Sequence, residues 1–159
     1  MGQKTLSLWL KMIIIGVGLC GVAVYSAVVP AFAEYVREGY PEFAFSVLPW
    51  KFLIWCSGIP CFMVLFFAWE IASNIGMDRS FSEENAKKLR AIAILAAVDA
   101  LFFFVGNILY LFLGMNHPGI VLVSLVVVFI GVSVAVAAAA LSHLVKKAAA
   151  LQEHSDLTI

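Results

Sequence analysis

The chain has 159 residues, of which 64% are hydrophobic and only 13% are charged, and its mean hydropathy is +1.03. A soluble domain contains about 25% charged residues, so this chain lacks the polar side chains needed to cover a water-exposed surface. The ten acidic and ten basic residues cancel, which leaves no strong overall field to attract nucleic acid. The composition therefore excludes soluble and disordered proteins and indicates an integral membrane protein whose first partner is the lipid bilayer.

Four apolar runs of 18 or more residues follow one another along the chain, and a membrane helix needs about 20 such residues. They predict an all-α fold, an antiparallel four-helix bundle that forms a single membrane domain over 1–159, with helices at about 8–33, 50–73, 83–115 and 119–147. Ala31 and Ala33 imitate a signal-peptide cleavage site. The preceding apolar run exceeds the 7–15 residues of a signal peptide, so we expect this helix to be retained.

The basic residues predict the orientation of the spans. Cytoplasmic loops of membrane proteins carry an excess of Lys and Arg. With four spans, both termini and the middle connector share one side, and that side holds eight of the ten basic residues, namely Lys4, Lys11, Arg79, Lys87, Lys88, Arg90, Lys146 and Lys147. The other side holds Arg37 and Lys51. We therefore expect both termini in the cytoplasm.

The two connectors on the other side differ in kind. The first, 34–51, interleaves aromatic residues with acidic residues and prolines. Aromatic rings favour the headgroup level of a bilayer, so this segment is either an interfacial stretch or a lid over an outward-facing pocket. The second, Asn116 to Gly119, predicts a tight turn between the third and fourth helices.

The middle connector carries helix signals. Gly76 is predicted to end the second helix in a left-handed cap, and Ser82 is a good N-cap for the third. Glu83 and Glu84 stand four residues before Lys87 and Lys88, the favourable orientation for helical ion pairs. This segment is either a capped, solvated helix start or a docking surface for a cytoplasmic partner, formed by Arg79, Phe81, Ser82, Asn85, Lys87, Lys88 and Arg90.

The same stretch resembles a known family. Phe81, Ser82, Asn85 and Leu89 match a Phe-Ser-x-x-Asn-x-x-x-Leu pattern that follows the second helix in the DUF2975 family of bacterial membrane proteins. The resemblance implies a multi-pass protein of the bacterial inner membrane. Genes of this family often lie beside a small helix-turn-helix regulator, so the resemblance also implies a regulatory partner in the cytoplasm. The balanced charge leads us to expect no direct contact with nucleic acid. It carries over no catalytic residue.

Acidic residues within apolar runs are the candidate ligand or ion sites. Asp99 lies nine residues beyond Arg90, which places it well inside the hydrocarbon, where a charged acid costs roughly 3 kcal/mol. We expect it to face the other helices and to be neutral or paired. Asn107 lies eight residues further on and is predicted to continue a polar stripe on that face. Glu70 and His143, both near the cytoplasmic end, are predicted to pair. An interhelical hydrogen bond that only fixes packing is the alternative for Asp99, and solvation at the interface is the alternative for Glu70 and His143.

The sequence gives little support for metal binding or catalysis. Cys20, Cys56 and Cys61 form no Cys-x-x-Cys pair, and the three histidines lack ligand spacing. We therefore expect no metal site, no cofactor and no enzymatic activity. Two functions stay open: a regulatory protein that senses a small ligand or a membrane state and holds a cytoplasmic regulator, and a transporter or channel subunit that uses Asp99 and Glu70 as a homo-oligomer.

Overall fold

The computed structural model describes residues 2–156 and is helical almost throughout. In chain order the helices are α1 (Gln3–Ala23), a π-helical turn (Val24–Val28), α2 (Val29–Gly39), a 3₁₀ turn (Pro41–Ser46), α3 (Val47–Gly76), α4 (Glu83–Phe112) and α5 (Pro118–Asp156). Four stretches are long and apolar enough to cross a membrane: Gln3–Gly39, Pro41–Gly76, Glu83–Phe112 and Pro118–His154. The all-α prediction with four spans is thereby confirmed. Met1 and residues 157–159 of the predicted domain lie outside the described part.

The helices extend beyond the apolar runs from which they were predicted. The first span continues as helix from Gln3 to Gly39, and α5 continues to Asp156. Hydropathy marks only the lipid-facing part of a helix, whereas backbone hydrogen bonding continues into polar residues until a cap or a proline stops it. The connector 34–51 is consequently not a loop, because helical turns fill most of it.

Contacts between the helices fix an antiparallel order. Gly18 faces Leu65 whereas Ser7 bonds to Ala72, so α1 and α3 run in opposite directions. Tyr110 bonds to Pro49 while Lys88 pairs with Glu70, which makes α3 and α4 antiparallel. Ser142 bonds to Ala86 and Gly131 packs on Ala100, so α4 and α5 are antiparallel too.

The packing is sequential. The extensive contacts join α1 to α3, α3 to α4, and α4 to α5. No residue of the most apolar window of the first span is buried, as expected for a helix at one edge of a row. The small described core, Ile92, Ala93 and Ala138, lies between α4 and α5 and is covered by residues of α3. Most large apolar side chains are therefore left facing the surroundings, which in a membrane protein are lipid.

The start of α1 and the last turns of α5 lie at one end of the helices, here called the terminal end. Ser80, in the loop between α3 and α4, donates a hydrogen bond to Gln3 at 2.7 Å, and the opposite end carries the turn between α4 and α5. The left-handed residue after α3 is Asp78 (φ 64°), so the prediction of a left-handed cap at Gly76 was wrong. Asp tolerates this conformation better than most residues. At the turn end, Gly114 (φ 69°) ends α4 in the left-handed conformation that glycine adopts without steric cost.

Candidate functional site

Asp99 lies in the middle of α4 and faces α3. Its Oδ2 accepts a hydrogen bond from the Ser57 hydroxyl at 3.0 Å and a weaker one from the Cys61 thiol at 3.7 Å. Its Oδ1 is covered and has no hydrogen-bond partner among the described residues. None of the ion pairs between the described side chains of residues 2–154 involves Asp99. The acid therefore has polar neighbours at membrane depth but no neutralising cation from its own chain.

Tyr25 is the residue of the first span that lies next to the neighbours of Asp99. It lies in the π-helical turn of that span, its ring packs over Gly58, and it reaches the thiol of Cys61. A Cβ at Gly58 would stand 2.9 Å from the tyrosine ring, so only glycine lets the ring lie this close. We call Tyr25, Ser57, Cys61 and Asp99 the Asp99 cluster. It draws its members from three helices.

Two backbone irregularities lie beside this cluster. A π-helical turn is rare and is found frequently at functional sites, and here it contains Tyr25. Pro60 lies inside α3 directly before Cys61, and because proline has no N–H it removes the hydrogen bond that the Cys56 carbonyl would accept. The helices are thus least regular where the polar side chains meet.

The cluster lies beside an apolar cleft between the first span and α3. The cleft measures about 870 Å³ and has aromatic walls that include Trp55, Phe62 and Phe66. Tyr25 and Gly58 also line it, so the tyrosine borders both the cleft and the polar cluster. The volume falls in the range of about 300–1,000 Å³ that is typical of small-molecule sites.

Asn107 does not extend the Asp99 cluster. Its side chain is completely buried and donates to the Phe103 carbonyl at 2.9 Å, while its Oδ1 accepts from Asn116 at 3.3 Å. Asn107 thus holds the turn end between α4 and α5. The prediction that Asn107 continues a polar stripe from Asp99 was wrong. Asp99 accepts a hydrogen bond from Ser57 on α3, whereas Asn107 is bonded to Asn116 in the turn before α5.

Glu70 pairs with a residue other than the predicted one. Its carboxylate lies 3.3 Å from Lys88 on α4, and Lys88 also pairs with Glu84. His143 is exposed on α5, and α5 packs mainly on α4. The prediction that Glu70 pairs with His143 was wrong because the neighbouring helix places a lysine closer. Glu70 and Asp99 have separate partners and do not form one site.

Two asparagines organise the loop at the terminal end. Asn85 is almost fully buried, and its amide donates to the carbonyls of Arg79 and Ser80 at 2.9 and 3.1 Å. Its oxygen accepts from Asn74 at 2.8 Å. Ser82 caps α4 by accepting from the Asn85 backbone N–H at 3.2 Å, which confirms the predicted N-cap. Asn85 is therefore a structural residue, and its assignment to a docking surface is corrected.

The exposed residues of the predicted docking surface are fewer than the sequence indicated. Lys88 is largely enclosed between two carboxylates, whereas Lys87 is exposed and pairs only with Glu83, at 3.2 Å. Arg79, Phe81 and Arg90 are exposed as well. We call Arg79, Phe81, Lys87 and Arg90 the basic face. It combines three cations with one aromatic ring at the terminal end.

Ser57, Cys61 and Tyr25 were not predicted as site residues. The spans are apolar all round, so the sequence carries no periodic signal that tells which side of α3 faces Asp99. The three cysteines are free, and Cys20 and Cys61 are exposed. Among the side chains that the structure describes, those of residues 2–154, no three His, Cys, Asp or Glu are grouped to hold a metal ion.

Comparison with known proteins gives the family. The family described as "Protein of unknown function (DUF2975)" matches residues 31–159. The "Uncharacterized membrane protein YoaS" of Bacillus subtilis (strain 168) is 27% identical over 159 residues, covering 99% of this chain and 98% of its own length. No solved structure matches significantly. The matched region contains Ser57, Cys61, Asp99 and the basic face.

Proposed function

Because the chain belongs to the DUF2975 family, whose relative is described as a membrane protein, we propose that it is a non-enzymatic regulatory protein of the bacterial inner membrane. It senses a small ligand through the Asp99 cluster and holds a cytoplasmic regulator of the helix-turn-helix type on its basic face. The observation that carries the proposal is that one unbroken helix, α4, bears both Asp99 and the basic residues Lys87 and Arg90.

Asp99 is suited to be the input. A carboxyl group at membrane depth costs roughly 3 kcal/mol and usually marks a ligand, ion or proton site. Hydrogen bonds from Ser57 and Cys61 satisfy one oxygen and leave the other without a partner. A buried acceptor without a partner costs about 1–3 kcal/mol. A ligand that relieves this cost in one arrangement of α3 and α4 favours that arrangement.

The coupling runs through the α3–α4 pair. Ser57 and Glu70 on α3 contact Asp99 and Lys88 on α4, so the same two helices carry the acid site and the ion pair at the terminal end. A small displacement between them at Asp99 changes the spacing of Glu70 and Lys88. Since Asn74 on α3 also holds Asn85, the shift reaches the loop that presents Arg79 and Phe81.

The basic face is suited to be the output. Three exposed cations with one exposed ring form a surface that an acidic, partly apolar protein face complements. Complementary charges set the encounter rate and register of such complexes. Glu83 and Glu84 pair with Lys87 and Lys88 within the helix, and Arg90 has no ion pair among the described residues.

The experiment compares proteins retained by the detergent-solubilised chain from its native membrane. Lys87→Glu with Arg90→Glu reverses the basic face, and Lys146→Glu with Lys147→Glu reverses two exposed cations of α5 as a matched control. Lys88 is left unchanged because its ion pairs hold α3 against α4. We expect the first variant to lose one specific regulator by at least about tenfold and the control to keep it. Equal retention by both variants would refute docking on this face, provided that both insert correctly.

The alternative function is a transporter or channel subunit. The unpartnered oxygen of Asp99 favours it, because such an acceptor suits a passing ion or proton. The sequential packing of the helices leaves the row open within one chain, so this function requires an oligomer. Ion flux into proteoliposomes that is lost in Asp99→Asn and present in the basic-face variant would favour transport over regulation.

A further inference from the structure

We infer that the cleft between the first span and α3 binds a membrane-soluble organic cation, an amine or onium group carried on an apolar or aromatic body. This inference rests on the proposed function, because it names the ligand class of the same site. It is carried by three features of the described residues: the aromatic walls of the cleft, its shared border with the Asp99 cluster, and the lack of an ion pair at Asp99.

The walls fit an apolar body with a positive charge. Trp55, Phe62, Phe66 and Met63 line the cleft. Because the Lys51 ammonium already lies 5.1 Å from the centroid of the Trp55 ring, the rings of Phe62 and Phe66 are the ones left for a bound cation. The faces of aromatic rings attract cations, by about 2 kcal/mol or more when the partner is desolvated. Ser26 also borders the cleft, but its hydroxyl donates to the Val22 carbonyl at 2.6 Å. The cleft therefore offers few hydrogen-bonding groups to a neutral polar ligand.

Asp99 is an acid close to the border of the cleft, and a cation bound nearby favours its ionised form. Tyr25 lines the cleft and lies within electrostatic reach of Asp99 as well as of Cys61. Attraction between opposite charges is several times stronger in a low-dielectric interior than in water. A cation held over the Tyr25 ring is therefore attracted by the ring and by the ionised form of Asp99, whereas an anion of the same size is not.

The chain places no Lys or Arg beside Asp99, although the Lys51 ammonium lies over the ring of the wall residue Trp55. Between Met12 and Ala33, Phe52 and Trp69, Ala91 and Met115, and Ile120 and Val145 there is no Lys or Arg. A second copy of the chain therefore brings no basic side chain to this depth. The described ion pairs lie near the helix ends and exclude Asp99. A membrane-soluble cation is the occupant that complements both the walls and the charge.

The route of entry supports the same class of ligand. The cleft lies between two helices at the edge of the row, and its walls include exposed side chains such as Ile59 and Phe66. In a bilayer this opening faces the acyl chains, so the ligand arrives from the lipid phase. Lipid partitioning of an amphiphilic cation raises its local concentration at such an opening.

The test uses tetraphenylphosphonium and tetraphenylborate, which have similar size and opposite charge. Binding to the purified full chain in lipid nanodiscs is measured by equilibrium dialysis, with empty nanodiscs subtracted. We expect one tetraphenylphosphonium per chain and at least tenfold weaker binding of tetraphenylborate. Asp99→Asn should weaken phosphonium binding about tenfold or more, and Phe66→Ala should weaken it less. Ser133→Ala, an exposed position on α5, should leave it unchanged.

Equal binding of both probes, or phosphonium binding that survives in folded Asp99→Asn, would reduce the cleft to an unselective apolar groove and overturn the inference. Absence of phosphonium binding to the wild-type chain would overturn it too. The proposed regulatory function fails differently, because it fails when the basic-face variant retains its regulator, whichever probe binds.

Discussion

Single residues determine how Asp99 is tolerated at membrane depth. Ser57 and Cys61 both donate to the same carboxyl oxygen, and none of the described ion pairs gives the ionised group a counterion. An interhelical hydrogen bond in a membrane contributes about 0.6 kcal/mol on average, too little to offset the roughly 3 kcal/mol cost of the charge. A role in helix packing alone therefore does not explain why an acid stands at this position.

Asp99→Asn separates packing from function at this position. Asparagine keeps the shape and still accepts hydrogen bonds from Ser57, so the free energy of unfolding should stay within about 1 kcal/mol of wild type or rise. The response of regulator retention to the bound ligand should be lost, because the amide carries no charge. Melting temperature and retention of the regulator are measured on the same preparations. Unchanged regulation in a folded variant would remove Asp99 from the functional site.

Gly58 tests the position of Tyr25. Gly58→Ala places a Cβ against the tyrosine ring, and forced overpacking typically costs 1–3 kcal/mol. We expect a lower melting temperature and weaker phosphonium binding. Gly16→Ala is the matched control, since nothing lies within 4 Å of its Cβ position and alanine favours helix. Equal melting temperatures of the two variants would show that Tyr25 does not lie over Gly58.

Asn85 tests the organisation of the terminal-end loop. Asn85→Ala leaves the Asn74 amide and the carbonyls of Arg79 and Ser80 without their partner, and a buried unsatisfied group costs about 1–3 kcal/mol. We expect a lower melting temperature together with weaker retention of the regulator. Ser133→Ala serves as a control, because this hydroxyl is exposed and bonds only within its own helix. A wild-type melting temperature for Asn85→Ala would contradict the assigned role.

At the level of elements, the sequence predicted what local chemistry decides. The start of α4 at Glu83, its Ser82 cap and its two ion pairs to Lys87 and Lys88 are as expected, because capping and i,i+4 spacing depend on neighbours in the chain. The helix ends were predicted less well. The apolar run of the last span stops at Val145, whereas α5 continues through residues with helix-favouring side chains.

The neighbours of Asp99 and Glu70 could not be predicted from the sequence. Which residues meet across helices depends on rotation and register, and spans that are apolar on all sides carry no pattern that fixes either. For this reason the sequence led to the prediction that Glu70 pairs with His143, whereas Lys88 on α4 is its partner in the structure. The contribution of Tyr25 also depends on a π-helical turn, for which the sequence carries no recognised signal.

At the level of the whole molecule, the topology in the membrane stays a prediction. The start of α1 and the last turns of α5 share one end of the helices with the loop that contains Arg79, and this end carries most of the basic residues. Reporter fusions at Asn116 and after the C-terminal residue, which lies outside the described part, should report opposite sides of the membrane, with the C-terminus inside. Fusions that report the same side would contradict a four-span chain.

The helices of the molecule pack in a sequential row. The first span contacts mainly α3, and α5 contacts mainly α4, so the α3–α4 pair forms the centre and the outer helices flank it. This arrangement places the Asp99 cluster and the basic face on the same central pair. We therefore expect that a change at Asp99 alters the spacing of α3 and α4 at the terminal end without rearrangement of the whole molecule.

The most direct test of this coupling measures how much regulator the chain retains from native membranes with and without tetraphenylphosphonium, using wild type, Asp99→Asn and the Lys87→Glu, Arg90→Glu variant. The account predicts that the probe changes retention by wild type several-fold, that Asp99→Asn no longer responds to it, and that the basic-face variant retains no regulator under either condition. Retention that is identical in all three proteins and insensitive to the probe would contradict the coupling of an intramembrane acid to a cytoplasmic docking face.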